Sequence, residues 1–309
     1  MKKAIVTGAG GFIGSSVTKK LLENGYFVYG LDINKESLSF FSEYENFVPI
    51  IADFSHYTEL KNLISDKDID VFFHFAIKGG LEGGALKDYA VQLENAKFAC
   101  DALNVAKELE CKKFVFAGTA NEYEIVNYIN NQCFEPRYTC IYSTAKLAAE
   151  LICKTYAHNI GIEYSAGLIA MAYGEGNRSK QLVNIVVNQL NNGLSPRLIE
   201  GSNLYDMVYI EDIANAFLAI AEKGKNMKSY YIGHRNLRTF RDIFTEVRDI
   251  LNPKVELQFG AFKDSSNMDY SLINLDALYN DTGFECSCDF RESILKTAEW
   301  VKTLNWGEN

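Results

Sequence analysis

The stretch TGAGGFIG at residues 7–14 constrains the fold of this chain more than any other part of the sequence. It follows the apolar run KAIV, which predicts a buried strand, and it leads into GSSVTKKLLENG, which predicts a helix. At such a junction Gly8 permits a tight turn, Gly11 lets a ligand approach the backbone, and Gly14 lets the helix pack closely on the sheet. The unpaired N–H groups at the start of the helix favour an anion. The spacing therefore predicts a strand–turn–helix unit that binds a pyrophosphate.

The rest of the first half repeats this alternation of strand and helix. Strands are predicted at 3–8, 27–32, 46–54, 70–76, 112–118 and 162–170, and helices at 14–25, 58–67, 88–110 and 141–161. Strands separated by helices of this length are typical of a parallel, doubly wound α/β sheet of the Rossmann type.

After residue 174 the elements become shorter. They are helices at 181–192, 210–224 and 239–251 and strands at 229–233 and 254–260. We expect a nucleotide-binding domain over 1–174, with a return segment at about 205–233, and a smaller α/β substrate-binding portion over 175–309.

Composition excludes several classes of partner. The net charge of −9 argues against nucleic acid, whose binding needs a basic face. No apolar run approaches the roughly 18 residues that would span a bilayer, and the first one ends at Gly8, too early for an export signal. The seven cysteines are scattered, and only Cys286 and Cys288 are close together. We therefore expect reduced thiols in a cytoplasmic protein without a metal site or a membrane partner.

Acidic residues end the next two strands. Asp32 is placed to bind the ribose hydroxyls of an adenine dinucleotide, and its charge would repel an additional 2′-phosphate, which favours NAD over NADP. Asp53 is placed to accept a hydrogen bond from the adenine amino group, although a helix-capping role is an alternative. His74, at the end of the fourth strand, is expected to support the cofactor pocket from the core rather than to perform chemistry.

Tyr142 and Lys146 stand four residues apart near the start of a predicted helix, which puts both on one face. A phenol with a pKa near 10 is a weak base at neutral pH. A neighbouring ammonium and a positively charged nicotinamide both lower that pKa, so this pair predicts proton transfer coupled to hydride transfer. The pair follows a strand that ends in the hydroxyl of Thr119.

These features together resemble the extended short-chain dehydrogenase/reductases, specifically the NAD-dependent epimerase/dehydratase branch that acts on nucleotide sugars. The resemblance covers nearly the whole chain. It is carried by T-G-x-x-G-x-x-G at 7–14, Asp32, Asp53, Asn95, Thr119, Y-x-x-x-K at 142–146, YGEG at 173–176 and YIEDIANA at 209–216.

The resemblance implies a role for each matching residue. Tyr142 would be the general acid/base, Lys146 would hold the nicotinamide ribose, and Thr119 would hydrogen-bond the reacting sugar hydroxyl. Asn95 would support the site through backbone or water contacts. The expected cofactor contacts are Gly8, Gly11, Phe12, Ile13, Gly14, Asp32, Asp53, Phe75, Ala76, Asn95 and Lys146.

The residues after Thr119 bear on the reaction. Sugar 4,6-dehydratases of this family place an Asp-Glu pair there, whereas this chain has Ala120 and Asn121, neither of which titrates near neutral pH. The resemblance thus favours a 4-epimerase, with a 4-ketoreductase or dehydrogenase as the alternative. A dehydratase and a cofactor-binding sensor without activity are less favoured.

The substrate half departs from the family pattern. Leu168, Met171 and Tyr205 stand where many relatives have Arg, Asn and the phosphate-binding Arg. The predicted substrate contacts are Thr119, Asn121, Arg178, Lys180, Arg197 and Arg235, with surface roles for the four cations as the alternative. In this family the helices at 88–110 and 141–161 often form a dimer interface, so a homodimer is expected.

Overall fold

The computed structural model describes residues 1–53, 57, 59–80, 84–131, 135–137 and 139–306. Its strands are β1 (Lys3–Thr7), β2 (Phe27–Asp32), β3 (Phe47–Ile51), β4 (Val71–His74), β5 (Lys113–Thr119), β6 (Glu163–Ile169), β7 (Met171–Tyr173), β8 (Arg197–Ile199), β9 (Leu204–Tyr205), β10 (Met207–Tyr209), β11 (Lys228–Ile232), β12 (Arg238–Thr239) and β13 (Gln258–Phe262).

Helices lie between most of these strands. The α-helices are α1 (Phe12–Glu23), α2 (Lys35–Leu38), α3 (Leu60–Leu63), α4 (Tyr89–Glu108), α5 (Glu122–Asn131), α6 (Cys140–Ile160), α7 (Leu182–Asn191), α8 (Ile210–Lys223), α9 (Phe240–Leu251), α10 (Ala277–Thr282) and α11 (Phe290–Lys302). Short 3-10 helices occur at Ser39–Phe41, Ala85–Lys87 and Tyr270–Leu272.

The central sheet confirms the predicted Rossmann-type fold. Seven strands lie in the order β3-β2-β1-β4-β5-β6-β11, and all neighbouring pairs are parallel. The order reverses between β1 and β4, where Thr7 pairs with His74. In such sheets a crevice opens beyond the carboxyl ends of the strands at this switch point, so the topology places a ligand site there.

Both faces of the sheet are covered, because alternate residues of each strand point to opposite sides. Val6 and Phe73 pack in one core with residues of α1 and α8. Ile5 and Phe72 pack in a second core with residues of α4 and α6. A third core joins α7, α9 and α11 in the second half of the chain.

The second half contributes to both parts of the molecule. The strand pairs β7–β10, β8–β13 and β9–β12 form small sheets of their own. The segment β11, by contrast, returns to the central sheet and pairs with β6, in register Tyr230 to Gly167. The predicted domain boundary at residue 174 and the return segment at 205–233 stay predictions.

Several predicted elements differ in extent from the observed ones. The strand predicted at 46–54 ends at Ile51, and Phe54 lies outside the described residues. The strand predicted at 254–260 is observed as Gln258–Phe262, because pairing with β8 selects the later residues. The sequence predictions contain no helix at 122–131, where α5 forms. Cys133, one of the seven cysteines, also lies outside the described residues.

The helices within the described ranges include none that is both long and apolar enough to cross a membrane. Over the same ranges, no group of three His, Cys, Asp or Glu side chains is arranged to hold a metal ion.

Candidate active site

The glycine loop packs against the start of the chain segment that follows β4. Gly8 has a φ of +69°, and a Cβ atom there would lie 2.9 Å from the backbone nitrogen of Ala76. The N–H of Gly11 donates to the Gly8 carbonyl at 2.9 Å. A Cβ atom at Gly14 would lie 2.0 Å from that same carbonyl oxygen. The loop therefore requires glycine at positions 8 and 14, because a side chain at either would collide with backbone.

The start of α1 is suited to a phosphate. Its N-cap is Gly11, no side chain caps its first N–H groups, and its first turn contains no acidic residue. Unpaired N–H groups and the positive end of the helix dipole favour an anion at this point. Phe12 and Ile13 line the cavity beside the loop, as the sequence predicts.

Asp32 lies at the end of β2 and has two backbone partners. Its Oδ2 accepts a hydrogen bond from the N–H of Gly10 at 3.0 Å, and its Oδ1 accepts one from the N–H of Asn34 at 3.0 Å. The carboxylate thus shapes the glycine loop while it lines the cavity. Sequence reasoning predicts a contact of Asp32 with the ribose but not this contact with the loop.

The floor of the cofactor region is a buried polar pair. Thr7 Oγ1 lies 3.0 Å from His74 Nδ1 and accepts a hydrogen bond from the N–H of Ala76 at 3.3 Å. Burial, assisted by the charge of Lys146, lowers the pKa of His74 to about 3, so its imidazole is neutral. His74 lies behind the cavity wall, whereas Phe75 and Ala76 line the cavity itself.

One cavity of about 1840 Å³ extends from the glycine loop into the second half of the chain. This volume exceeds the roughly 300–1,000 Å³ that is typical of a site for one small ligand. A dinucleotide and a second ligand can therefore occupy it together. The predicted residues that line it are Gly8, Gly11, Phe12, Ile13, Gly14, Asp32, Asp53, Phe75, Ala76, Thr119, Asn121, Tyr142, Lys146 and Arg178.

Thr119, Tyr142 and Lys146 all line this cavity. Thr119 ends β5, while Tyr142 and Lys146 lie in the first two turns of α6. The Lys146 ammonium donates to the carbonyl of Ala117 at 2.8 Å and lies 4.9 Å from the centre of the Phe116 ring. These contacts fix Lys146 at the wall of the cavity.

In the chain itself, the pKa of Tyr142 is shifted upward, which is opposite to the predicted direction. Burial, together with the charge of Glu122, raises the pKa of Tyr142 above its ordinary value. Burial also lowers the pKa of Lys146 to about 8, although Glu122 opposes this shift. Lys146 alone therefore does not produce the expected lowering, which requires the positive charge of an oxidised nicotinamide as well.

Glu122 is a buried residue that sequence reasoning misses. Its Oε1 accepts a hydrogen bond from the N–H of Thr119 at 2.8 Å, and its side chain is only 2% exposed. It is not among the described residues that line the cavity. The N–H of Asn121 donates to Thr119 Oγ1 at 3.3 Å, which leaves the Thr119 hydroxyl free to donate to a ligand.

Asn95 lies on α4, away from the main cavity. Its side chain accepts from the N–H of Lys78 at 2.7 Å and donates to the Lys78 carbonyl at 3.2 Å. It therefore fixes the segment that follows β4 through backbone contacts. A direct contact of Asn95 with the cofactor has no support from this geometry.

Three of the four predicted substrate cations are engaged elsewhere. Lys180 donates to the carbonyl of Trp306 at 3.0 Å. Arg197 lies 4.9 Å from the centre of the Phe262 ring. Arg235 pairs with two carboxylates at N···O distances of 2.6 and 3.3 Å. Of the four predicted cations, Arg178 is the one that lines the cavity. The partners of the three displaced cations lie far along the chain, so the local sequence could not reveal them.

Arg137 lines the cavity near the start of α6 and is absent from the sequence predictions. Its Nε donates to Glu124 Oε1 at 2.8 Å, and its Nη2 donates to Glu124 Oε2. Glu124, on α5, also accepts from the N–H of Asn267 at 3.3 Å. This two-point contact fixes the guanidinium plane.

A second polar network borders the far end of the cavity. Asp206 accepts hydrogen bonds from the Tyr231 hydroxyl at 2.7 Å and from the N–H of His234 at 2.8 Å. The His234 ring lies 2.7 Å from Asp206, which raises the pKa of His234. Tyr205, at the place of the family's arginine, is half-buried and lines the cavity, and its ring packs edge-to-face against that of Phe240.

Comparisons with known proteins agree with this arrangement. A family model described as the NAD dependent epimerase/dehydratase family matches residues 4–233. Over 99% of the chain it is 24% identical to a dTDP-glucose 4,6-dehydratase of Shigella flexneri, of which it covers 95%. Over 97% it is 27% identical to a putative UDP-glucose 4-epimerase of Methanocaldococcus jannaschii, of which it covers 99%.

Solved structures show the same fold. The UDP-glucose 4-epimerase of Thermotoga maritima with UDP-glucose has a TM-score of 0.78 at 21% identity, with 97% of this chain and 98% of that chain covered. The UDP-glucuronic acid 4-epimerase of Bacillus cereus, in complex with UDP-glucuronic acid and NAD, has a TM-score of 0.79 at 21% identity, with 97% and 99% covered.

Proposed function

The chain belongs to the NAD-dependent epimerase/dehydratase family of extended short-chain dehydrogenase/reductases, and from that premise we propose that it is a nucleotide-sugar epimerase acting at C4. It is an enzyme, and its cofactor is NAD. One observation carries the proposal. Thr119, Tyr142 and Lys146 line the same cavity as the glycine loop, while Ala120 and Asn121, the two residues directly after Thr119, are not titratable.

Each residue of this set has a defined role in the proposed reaction. NAD, when bound, supplies a hydride acceptor that also returns the hydride. Tyr142 takes the proton of the sugar hydroxyl at its phenolic oxygen and later gives it back. Lys146 holds the cofactor ribose and favours the phenolate, and Thr119 orients the hydroxyl through a hydrogen bond.

A dehydratase needs a further acid and base for elimination. Ala120 and Asn121 occupy the two positions that follow Thr119, and neither can fill this role. Glu122 is the nearest carboxyl group along the chain, but it lies behind the cavity wall. The dehydratases among the relatives are similar to this chain over nearly its whole length, but we do not extend their elimination step to it.

A 4-ketoreductase or dehydrogenase is the alternative. It would use the same residues once per turnover and exchange its cofactor each time. The contact of Asp32 with both the glycine loop and the ribose side of the cavity supports tight retention of NAD, which favours the epimerase.

The proposed substrate is a sugar linked to a nucleotide, as the names of the relatives suggest. Arg178 and Arg137 are the arginines of the cavity wall that could face its phosphates. Tyr205 in place of the family's arginine means that the phosphates are held differently here.

We also propose a homodimer. Tyr89 and Leu93 on α4 and Leu151 and Ile152 on α6 are between 54% and 70% exposed, although all four are apolar or aromatic. The two helices pack against each other, so these side chains belong to one surface of the molecule. Exposed apolar groups concentrated in this way are typical of an interface.

The epimerase is tested by cofactor retention and turnover. Denaturation of the purified protein is expected to release one NAD per chain, and candidate nucleotide sugars are expected to form their C4 epimers without added cofactor. Tyr142→Phe should reduce turnover by about 10²–10⁴-fold, because the proton acceptor is lost.

The matched control is Tyr156→Phe on the same helix, whose hydroxyl contacts Asn104 instead of the cavity. This variant should keep wild-type turnover. Consumption of added NADH in step with product would establish the reductase instead. Full turnover by Tyr142→Phe would contradict the assignment of the acid/base.

A further inference from the structure

A column of titratable side chains runs along the buried face of α6. Tyr142, Lys146 and Glu150 are spaced four residues apart, which puts them on one face of the helix. Glu150 is 6% exposed, and its Oε1 accepts a hydrogen bond from the Ser229 hydroxyl on β11. Proton transfer by Tyr142 and Lys146 does not require Glu150, so its burial calls for a separate explanation.

Glu122 approaches this column from the first residue of α5. One carboxyl oxygen, Oε1, accepts the N–H of Thr119, but Oε2 is buried and accepts no hydrogen bond within the described residues. Gly118 makes room for the carboxyl, because a Cβ atom there would lie 2.6 Å from Glu122 Oε1. The side chain is thus tightly enclosed while one of its oxygens lacks a donor.

The carboxyl of Glu150, on the helix against which α5 packs, lies close enough to Glu122 for its charge to raise the pKa of Glu122. Two ionised carboxylates side by side in a dry interior are costly, and a proton between them removes the repulsion. It also gives the buried Oε2 a partner. Two carboxyls that share one proton carry a single negative charge. This charge balances the positive charge of Lys146, so this part of the interior is neutral.

Among the residues that the structure describes, Lys146 is the positively charged group that acts on Glu122. Burial and the proximity of Glu150 raise the pKa of Glu122 well above its ordinary value, against the opposing effect of Lys146. The titratable groups that face Glu122 and Glu150 from the described elements packed around them are Tyr123, Tyr142, Lys146, Cys153 and Tyr164.

We propose that Glu122 and Glu150 form a buried carboxyl pair that shares one proton, and that Glu122 is a positioning residue for Thr119 and Tyr142. The inference rests on the proposed function only in that it takes Thr119 and Tyr142 as the reacting set. Glu122 holds the backbone of Thr119 at the end of β5. Loss of the shared proton adds a negative charge behind Tyr142 and opposes formation of its phenolate.

Infrared spectroscopy tests the shared proton without any assay of activity. At neutral pH the wild-type protein is expected to show the carbonyl band of a protonated carboxylic acid, with the usual shift in D₂O. Glu122→Gln and Glu150→Gln should each abolish it, because each removes one of the two carboxyls that share the proton. Glu163→Gln, at an exposed position of β6, is the control and should keep the band. Absence of the band in wild type, or its survival in Glu150→Gln, would overturn the pair.

Stability provides a second measurement. A raised pKa in the folded state means that the folded chain keeps a proton that the unfolded chain loses above pH 4.5. The free energy of unfolding of the wild type should therefore fall relative to that of Glu122→Gln as pH rises from 4.5 towards the raised pKa. Denaturant unfolding at several pH values measures this difference. A difference that is independent of pH would contradict a proton held by Glu122.

The positioning role is tested with two substitutions at one place. Glu122→Val removes the acceptor of the Thr119 N–H and should lower kcat/KM by about tenfold at unchanged NAD content. Glu122→Gln keeps an oxygen at that place and should restore the rate at neutral pH, but its pH profile should lack the inflection expected in wild type where the shared proton is lost. Equal rates and equal pH profiles for all three proteins would exclude the role.

The experiments can disprove the epimerase activity and the shared proton of Glu122 and Glu150 independently of each other. A wild-type protein that shows the shared proton but turns over no nucleotide sugar disproves the proposed function and supports the pair. A protein that is an active epimerase without the infrared band and without pH-dependent stability disproves the pair alone.

Discussion

Gly14 lies where α1 passes closest to the phosphate-binding turn. A methyl group at this position would lie 2.0 Å from the Gly8 carbonyl oxygen, so either the turn or the helix must move. The unpaired N–H groups at the start of α1, which we propose bind the pyrophosphate, move with them. Gly14→Ala should therefore yield a protein that purifies without NAD and binds added NAD roughly tenfold more weakly or worse.

Fluorescence titration with NADH measures this effect. The control is Gly84→Ala, since Gly84 has a φ of −79° and a Cβ atom there would have no neighbour within 4 Å. It should retain NAD as the wild type does. Retention of NAD by Gly14→Ala would show that the loop tolerates the displacement.

Local patterns reveal some site residues and not others. The glycines, Asp32, Tyr142 and Lys146 are visible because each lies at a fixed offset within a strand–turn–helix unit. Glu122 and Arg137 are invisible at that level. In a sequence, a Glu or an Arg is most often a surface charge, so neither residue stands out. Their roles depend on hydrogen-bonding partners that are brought to them by the packing of α5 against α6.

The helix α5 links β5, which ends in Thr119, to Arg137 in the cavity wall. Its first residue contacts Thr119, and its third, Glu124, fixes Arg137 just before α6 begins. Glu124 has a side chain that is 1% exposed, so loss of Arg137 would leave a buried carboxylate without its charge partner. Arg137→Met should lower the free energy of unfolding by about 3 kcal/mol.

Urea unfolding measures the change. The double variant Glu124→Gln/Arg137→Met should regain part of the loss, because the unpaired buried charge is gone. Arg178→Met, on the cavity wall but exposed, is the control and should change stability little. If Arg137→Met lowers the free energy of unfolding no more than the control does, water solvates Glu124 and the prediction is wrong.

The helix α5 could not be predicted from its local sequence. EYEIVNYINN is rich in Tyr, Ile, Val and Asn, which are weak helix formers, so propensity gives no strong signal for α5. Its helical form depends on packing against α6. The strand at β13 is displaced for a related reason, since its pairing partner β8 lies far along the chain. The strands of the central sheet are predictable because their apolar runs are buried on both faces.

At the scale of the whole molecule, the exposed apolar side chains of α4 and α6 predict association. Leu151→Glu places a charge in the middle of the proposed interface, where it could not be desolvated without cost. We expect the wild type to be a dimer and this variant to be a monomer in light-scattering measurements at matched concentration.

Leu295→Glu is the control, because Leu295 is 43% exposed but lies on α11 in the other half of the chain. It should remain a dimer. A monomeric wild type, or a dimeric Leu151→Glu, would place the interface elsewhere or exclude it.

The edge strand β11 has a consequence for the order in which the site is completed during synthesis. On a ribosome the chain emerges from its amino terminus, so β1 to β6 are available before Lys228–Ile232 has been made. Until then β6 presents an open edge, and Glu150 lacks the hydroxyl of Ser229. The nascent chain can therefore form its glycine loop early, but the interior behind Tyr142 closes only when this late strand docks.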